Sequence, residues 1–268
     1  MLPRLLRPLS IASLLFFLPL GNSFAATATD PSAIGLEIVT EADRRNLGWG
    51  DVESQMKMEL RNAHGDTSER LLRSKTLEVD GDGDKGLSIF DQPRDVQGTA
   101  FLTFSHALEP DDQWIYLPAL KRVKRISSRN KSGPFMGSEF AYEDMASFEV
   151  AKYNYRYLRD EVFDGLDCFV VESYPNDENS GYTRLVSWFD KQDYQVRKID
   201  YFDRKDAPLK TLVFSDYNLY QDKYWRPHQL HMVNLQTGKS TLLSISEIRF
   251  KTGLTDADFN KNSLARAK

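Results

Sequence analysis

The sequence predicts a mainly β protein: a single open, strongly curved antiparallel β-barrel with an N-terminal helix and short helical cover. Three observations carry this. Runs of 5–12 residues with period-two alternation or aromatic and β-branched enrichment fill most of the chain after residue 50. Turn residues punctuate them at close intervals, as in Asp164-Gly165, Asn179-Ser180-Gly181 and Gln236-Thr237-Gly238. No long linker or internal repeat divides the chain, and short connections make sequential strands antiparallel neighbours.

Composition agrees with one sizeable folded unit. The 268 residues are 41% hydrophobic and 12% aromatic, enough for a core and unlike a disordered chain. The net charge of −4 argues against nucleic acid as a partner. The N-terminus reads as a secretory signal peptide over residues 1–25. Arg4 and Arg7 precede the short apolar run Ile11 to Leu20, and Ser23-Phe24-Ala25 offers small residues at a cleavage site, with Ala28 as the second choice. Losing Arg4 and Arg7 takes the charge from −4 to −6. The run is too short to span a bilayer, so one exported domain over 26–268 is expected. Cys168 is the single cysteine. It sits in the run Cys168-Phe169-Val170-Val171, which marks a small core residue and leaves no intramolecular disulfide.

Taken in order, Asp30-Pro31 supplies an N-cap and a first-turn proline. Ile34, Ile38, Val39 and Ala42 then recur at helical spacing, predicting an amphipathic helix over 31–46 that lies across a sheet. From 52 to 60, Val52, Met56, Met58 and Leu60 alternate with Glu53, Gln55, Lys57 and Glu59. Further strands are expected to end near 77–79 and to cover 87–90, 100–104 and 113–120. Beyond a central loop they resume at 153–158, 168–174, 182–189, 194–202, 209–219, 224–235 and 241–250. One helical turn is expected over 140–145 and a short polar helix over 256–266. Arg184, Arg197, Lys198, Arg226 and Arg249 fall mid-strand with both parities, against a lipid-facing band of an outer-membrane barrel.

The search for catalytic chemistry is negative. His228 and His231, three apart on a strand, point to opposite faces, and no nucleophile elbow, phosphate loop or zinc-protease motif occurs. No enzyme activity and no cofactor is expected. Asp80, Asp82 and Asp84 have the spacing of the first ligands of a calcium loop. Lys85 stands where that loop needs glycine, however, and the flanks are strands, so an acidic turn is expected. The distinctive stretch is 111–145. An apolar segment, Gln113 to Leu120, passes into Lys121, Arg122, Lys124, Arg125 and Arg129, then into a loop holding Phe135 and Met136. Lys121, Arg122, Lys124 and Arg125 are candidates for headgroup or partner docking.

The segments DGDGDKGLSIFDQPRDVQGTAFL, DDQWIYLPALKRVKRI, SGPFMGSEFAYEDM and KYWRPHQLHMVNLQTGK resemble the outer-membrane lipoprotein-sorting family, LolA-like, in the branch associated with RND-type exporters. The resemblance covers nearly all of the expected mature chain. It implies a periplasmic carrier whose concave face holds the acyl chains of a lipoprotein or lipid, shuttles them toward the outer membrane and works with an inner-membrane RND-type transporter through transient membrane contact. An exposed methylene costs about 0.8 kcal/mol in water, so such a carrier needs a continuous apolar lining. On that reading Met56, Met58, Leu60, Leu102, Phe104, Trp114, Tyr116, Phe135 and Met136 face the ligand. Helix 31–46 and the 127–140 loop are the candidate moving covers. The alternative is a periplasmic interaction or sensor module that docks on a transporter or regulator.

Overall fold

The computed structural model describes residues 30–267, so the expected signal peptide and its cleavage sites lie outside the described residues. The first element is α1 (Pro31–Asn46), with the bounds its sequence predicts. Asp30 accepts from the Ser32 N–H at 3.0 Å, proline stands in the first turn, and Arg44 and Arg45 lie at the negative end of the helix dipole. Its apolar stripe packs on the sheet through Ile38 and Val39. Gly35 permits the closest approach, because a Cβ there would stand 2.8 Å from the backbone nitrogen of Tyr157.

Thirteen strands follow. The first six are β1 (Asp51–Arg61), β2 (Thr67–Leu77), β3 (Lys85–Gln92), β4 (Ala100–Phe104), β5 (Asp112–Leu117) and β6 (Arg122–Ile126). After an irregular connection come β7 (Tyr153–Phe163), β8 (Leu166–Pro175), β9 (Tyr182–Asp190), β10 (Val196–Asp203), β11 (Pro208–Tyr220), β12 (Tyr224–Asn234) and β13 (Ser240–Phe250). All belong to one antiparallel sheet in the order β6-β5-β4-β3-β2-β1-β13-β12-β11-β10-β9-β8-β7. The first and last strands pair, Met58 opposite Leu243, so the two halves of the chain join through the middle of the sheet. The terminal strands β6 and β7 do not pair with each other, so the sheet is curled but unclosed.

Strand parity divides the core. One face carries Met58, Leu72, Phe90, Phe101, Ile115, Leu212, Met232 and Leu243, which form a continuous cluster and define the concave side. The other face carries two separate clusters. Leu87, Ile89, Ala100 and Leu102 pack with Phe259 and Leu264, while Cys168, Val170, Val186 and Trp188 pack together elsewhere.

One strand was not anticipated and one expectation is corrected. The basic run is a strand: β6 pairs with β5, Ile115 opposite Lys124, because Val123 and Ile126 between the cations still reach apolar clusters. The C-terminal tail is not a polar helix. It forms two 3-10 turns, 256–258 and 264–266, and Phe259 and Leu264 bury themselves against the convex face.

The irregular connection 127–152 enters the concave side. Phe135, fully buried, packs on Phe101 and Phe90 with ring centroids 4.9 and 5.9 Å apart, and Tyr142 meets both Phe101 and Phe135. Side chains of six strands bind this segment, that of Tyr182 on β9 by donating to Asp144 at 2.8 Å. Arg70 on β2 donates to the Met136 carbonyl, and Gln113 on β5 donates to the Tyr142 carbonyl at 2.8 Å. Asn234 on β12 donates to the Glu139 carboxylate at 2.7 Å, and Thr241 on β13 accepts from the Glu139 N–H at 3.0 Å. On β11, Lys210 Nζ lies 2.6 Å from Asp144 and 2.9 Å from the Glu139 carbonyl, with both ion-pair side chains almost wholly buried. Residues 133–145 are therefore a stitched floor across one end of the curled sheet rather than the moving flap expected of the 127–140 loop.

Candidate functional site

Above this floor the concave side stays open. A cavity of about 1370 Å³ lies between the sheet, the C-terminal half of α1 and residues 145–149. It exceeds the roughly 300–1,000 Å³ of a pocket for a compact small molecule. The rolled sheet therefore keeps unfilled space that its own side chains plug at one end only.

Strand alternation sets what lines it. Met56, Leu185, Ile199, Phe214, Leu243 and Ile245 form an apolar wall from β1, β9, β10, β11 and β13. All but Leu243 are only half-buried, although they sit inside the sheet and pack on its core at one edge. The wall contributed by β1–β4 differs. Ser54, Ser74 and Ser88 lie directly opposite one another across β1, β2 and β3. Thr103 lies beside them on β4, facing the same space. The cavity is amphipathic.

The mouth is charged. Asp43 from α1, Glu78 and Asp84 from the β2–β3 turn, and Glu149 line it together with Arg226. Burial drives the Asp84 carboxyl up to about 7, and the like charges of Glu149, Glu78 and Asp43 add to this against one opposing hydrogen bond from the Val79 N–H. Burial also raises Asp43 and Glu149 and lowers Arg226. Arg226 donates to the Asn46 side chain at 2.7 Å, and Lys223 donates to the Leu47 carbonyl at 2.6 Å, so the β11–β12 hairpin holds the end of α1. Glu78 accepts the Gly48 and Gly50 N–H groups, both at 2.6 Å, and fixes the turn that leaves the helix.

The nine predicted ligand-facing residues divide three ways. Met56 lines the cavity. Met58, Leu60, Phe135 and Met136 belong to the concave cluster at the floor, with Met58 and Phe135 fully packed by protein. Leu102, Phe104, Trp114 and Tyr116 lie on the convex face, beneath the C-terminal tail. The parity of β4 and β5 is unreadable because apolar residues occupy both faces. Phe101 and Thr103 take the concave side of β4, and Gln113, Ile115 and Leu117 that of β5. The docking candidates Lys121, Arg122, Lys124 and Arg125 are exposed on the terminal strand and the turn before it, and Arg125 pairs with Asp112.

Sequence reasoning missed the serine wall and Lys210. Each had a signal. Ser54 is in phase with Val52, Met56 and Met58, and Lys210 is in phase with Leu212 and Phe214, so each is a polar residue on an apolar stripe. Of the acidic turn, Asp82 bonds to His106 Nδ1 at 2.8 Å and to the Ala107 N–H, while Asp84 lines the cavity mouth. Among the described residues no group of three His, Cys, Asp or Glu side chains comes together to hold a metal ion.

An unclosed antiparallel sheet curled round an amphipathic cavity, with one helix at its mouth, defines a LolA-like fold. A LolA superfamily protein from Nitrosomonas europaea superposes with a TM-score of 0.67 at 20% identity, over 85% of this chain and 98% of that one. A protein from Vibrio parahaemolyticus described as an outer membrane lipoprotein-sorting protein domain is 61% identical, with a TM-score of 0.86 over 88% of this chain and all of that one. A DUF1329 family protein from Desulfovibrio piger is 31% identical, with a TM-score of 0.84 and the same coverage. A family model described as an uncharacterized protein matches residues 82–266, and no curated protein matches. The chain belongs to the outer membrane lipoprotein-sorting protein family.

Proposed function

We propose that this protein is a periplasmic carrier and not an enzyme. It takes up the acyl part of a lipoprotein or lipid in the concave cavity and moves it toward the outer membrane, over a single domain spanning 26–268. The observation that carries this is the set of half-buried apolar side chains lining a large cavity inside the sheet. Apolar groups packed by protein on one side and left uncovered on the other are accounted for when a guest covers them. The stitched floor leaves α1 as the moving cover, held at its end by Arg226 and Lys223. No helix among the described residues is long and apolar enough to cross a membrane.

The exposed cations of β6 and of the turn before it favour a second element of the reading. Lys121, Arg122 and Lys124 would dock the carrier on an anionic surface, either the bilayer or an inner-membrane RND-type transporter. If the cavity were only a structural gap, the same cations would make the protein a docking or sensor module.

Two variants separate these readings. Ile245→Trp, which fills the cavity, is expected to lower uptake of a fluorescent fatty acid by about tenfold or more without lowering the unfolding midpoint. Changing Lys121, Arg122, Lys124 and Arg125 together to glutamate is expected to leave that uptake intact and to abolish capture by anionic vesicles or by detergent-solubilised inner membrane. Unchanged uptake by the filled cavity would sink the carrier reading.

A further inference from the structure

The wall formed by β1–β4 is the wrong surface for an acyl chain. Ser54, Ser74 and Ser88 run straight across three strands, and Ser54 and Ser88 are each only 8% exposed. A row of small residues alone would mean only close packing. Thr103 adds an independent observation: it is 2% exposed, faces the cavity, and its hydroxyl has no hydrogen-bond partner among the described residues. A buried hydroxyl without a partner costs about 1–3 kcal/mol, so a site that keeps one leaves a bond for something else to make. Its cross-strand neighbour is Gly86, where a Cβ would meet nothing within 4 Å. The backbone thus leaves a notch beside the unsatisfied group.

We propose that the cavity holds its guest with the polar head inside, against the hydroxyl wall of β1–β4, and that this head is rich in hydrogen-bond donors, bearing hydroxyl or ammonium groups rather than a bare anion. This inference rests on the carrier reading and specifies its cargo. The tail lies along the opposite apolar wall. Serine and threonine hydroxyls accept as well as donate. The carboxylates of Asp84 and Glu149 at the edge of the same wall only accept when ionised and repel an anionic head. Ammonium and hydroxyl heads answer this set of acceptors equally well in kind, and they differ in whether Asp84 contributes.

The test uses three ligands with the same palmitoyl tail, titrated into the full-length mature protein: monopalmitoylglycerol, palmitoyl lysophosphatidylethanolamine and palmitate. At least one of the first two is expected to bind about tenfold more tightly than palmitate. Thr103→Val combined with Ser88→Ala should remove most of that preference, weakening the two donor-headed ligands more than palmitate, and should not lower the unfolding midpoint of the empty protein. Valine at 103 discards an unsatisfied hydroxyl at nearly constant shape, so a merely structural role predicts no change in ligand ranking. Loss of affinity on Asp84→Asn for the ethanolamine head alone identifies ammonium as the preferred donor, and loss on Thr103→Val for both heads identifies hydroxyl contacts. Equal binding of all three ligands, or a double variant that weakens all three alike, overturns the head-inward arrangement and leaves the carrier standing. No binding of any of them overturns both.

Discussion

Replacing Lys210 by methionine is expected to destabilise the protein by about 3–5 kcal/mol, the usual cost of stranding one partner of a buried ion pair. The ammonium lies 2.6 Å from Asp144, and the two side chains are only 5% and 6% exposed. Lys210 also donates to the Glu139 carbonyl and sits 5.1 Å from the ring centroids of both Tyr182 and Tyr201. Asp144 is bound further by the Tyr182 hydroxyl at 2.8 Å and the Ala141 N–H at 2.7 Å. Methionine matches the stem of lysine but leaves a buried carboxylate facing two tyrosines with no cation. Adding Asp144→Asn, which can still accept from Ala141, is expected to recover about 1–2 kcal/mol, because the uncompensated charge goes with it. Urea unfolding of the two single variants and the double variant checks this. A cost below about 1 kcal/mol for Lys210→Met, against that expectation, would show that the floor is held by its aromatic packing alone.

The same site marks where reading the sequence succeeds and where it stops. Helix α1 was legible to its ends because Asp30-Pro31 and the Ile34, Ile38, Val39 and Ala42 stripe are local signals. β1 was legible because its polar and apolar residues alternate. β4 and β5 were legible as strands but not as to face. Phe101 and Leu102, or Trp114 and Ile115, are equally apolar, and only the C-terminal tail folding over one side decides which is concave. That tail contact is long-range and leaves no periodic trace. β6 was hidden by its charges, since a terminal strand with one exposed edge tolerates the cations that a central strand excludes. The floor was hidden for a different reason. Residues 133–145 have no periodicity, and their bonds run to six strands distributed between residues 70 and 241. The cavity was implied by family resemblance, but its serine wall breaks the apolar expectation one residue at a time on separate strands.

Replacing Asp84 by asparagine is expected to stabilise the protein at pH 8, an unusual direction for a change in a buried polar residue. The carboxyl has an ordinary value of 3.8 and is driven up to about 7 in the fold, first by burial and then by Glu149, Glu78 and Asp43. The folded state therefore binds a proton that the unfolded chain releases between these two values, so stability falls as pH rises across that window and the full penalty is present above about 7. At about 1.4 kcal/mol per pH unit the ceiling is roughly 4 kcal/mol, and partial solvation of the mouth reduces this to about 1–2 kcal/mol. Asparagine keeps an acceptor for the Val79 N–H and carries no charge. The wild-type unfolding midpoint should climb as pH drops from 8 to about 5, by a few degrees at roughly 2–4 °C per kcal/mol, whereas Asp84→Asn should start higher and respond less. Below about pH 4 both should lose stability, since Asp82, held down at about 2 by His106, must then be protonated. The repulsion removed at the mouth also acts on α1, which carries Asp43 and would be the moving cover. The variant should accordingly release a bound fluorescent fatty acid more slowly at pH 8, while wild-type release slows only as pH falls toward 5. A flat wild-type stability profile, or a variant less stable than wild type at pH 8, would mean that water at the mouth already screens these carboxylates and that they exert no force on the cover.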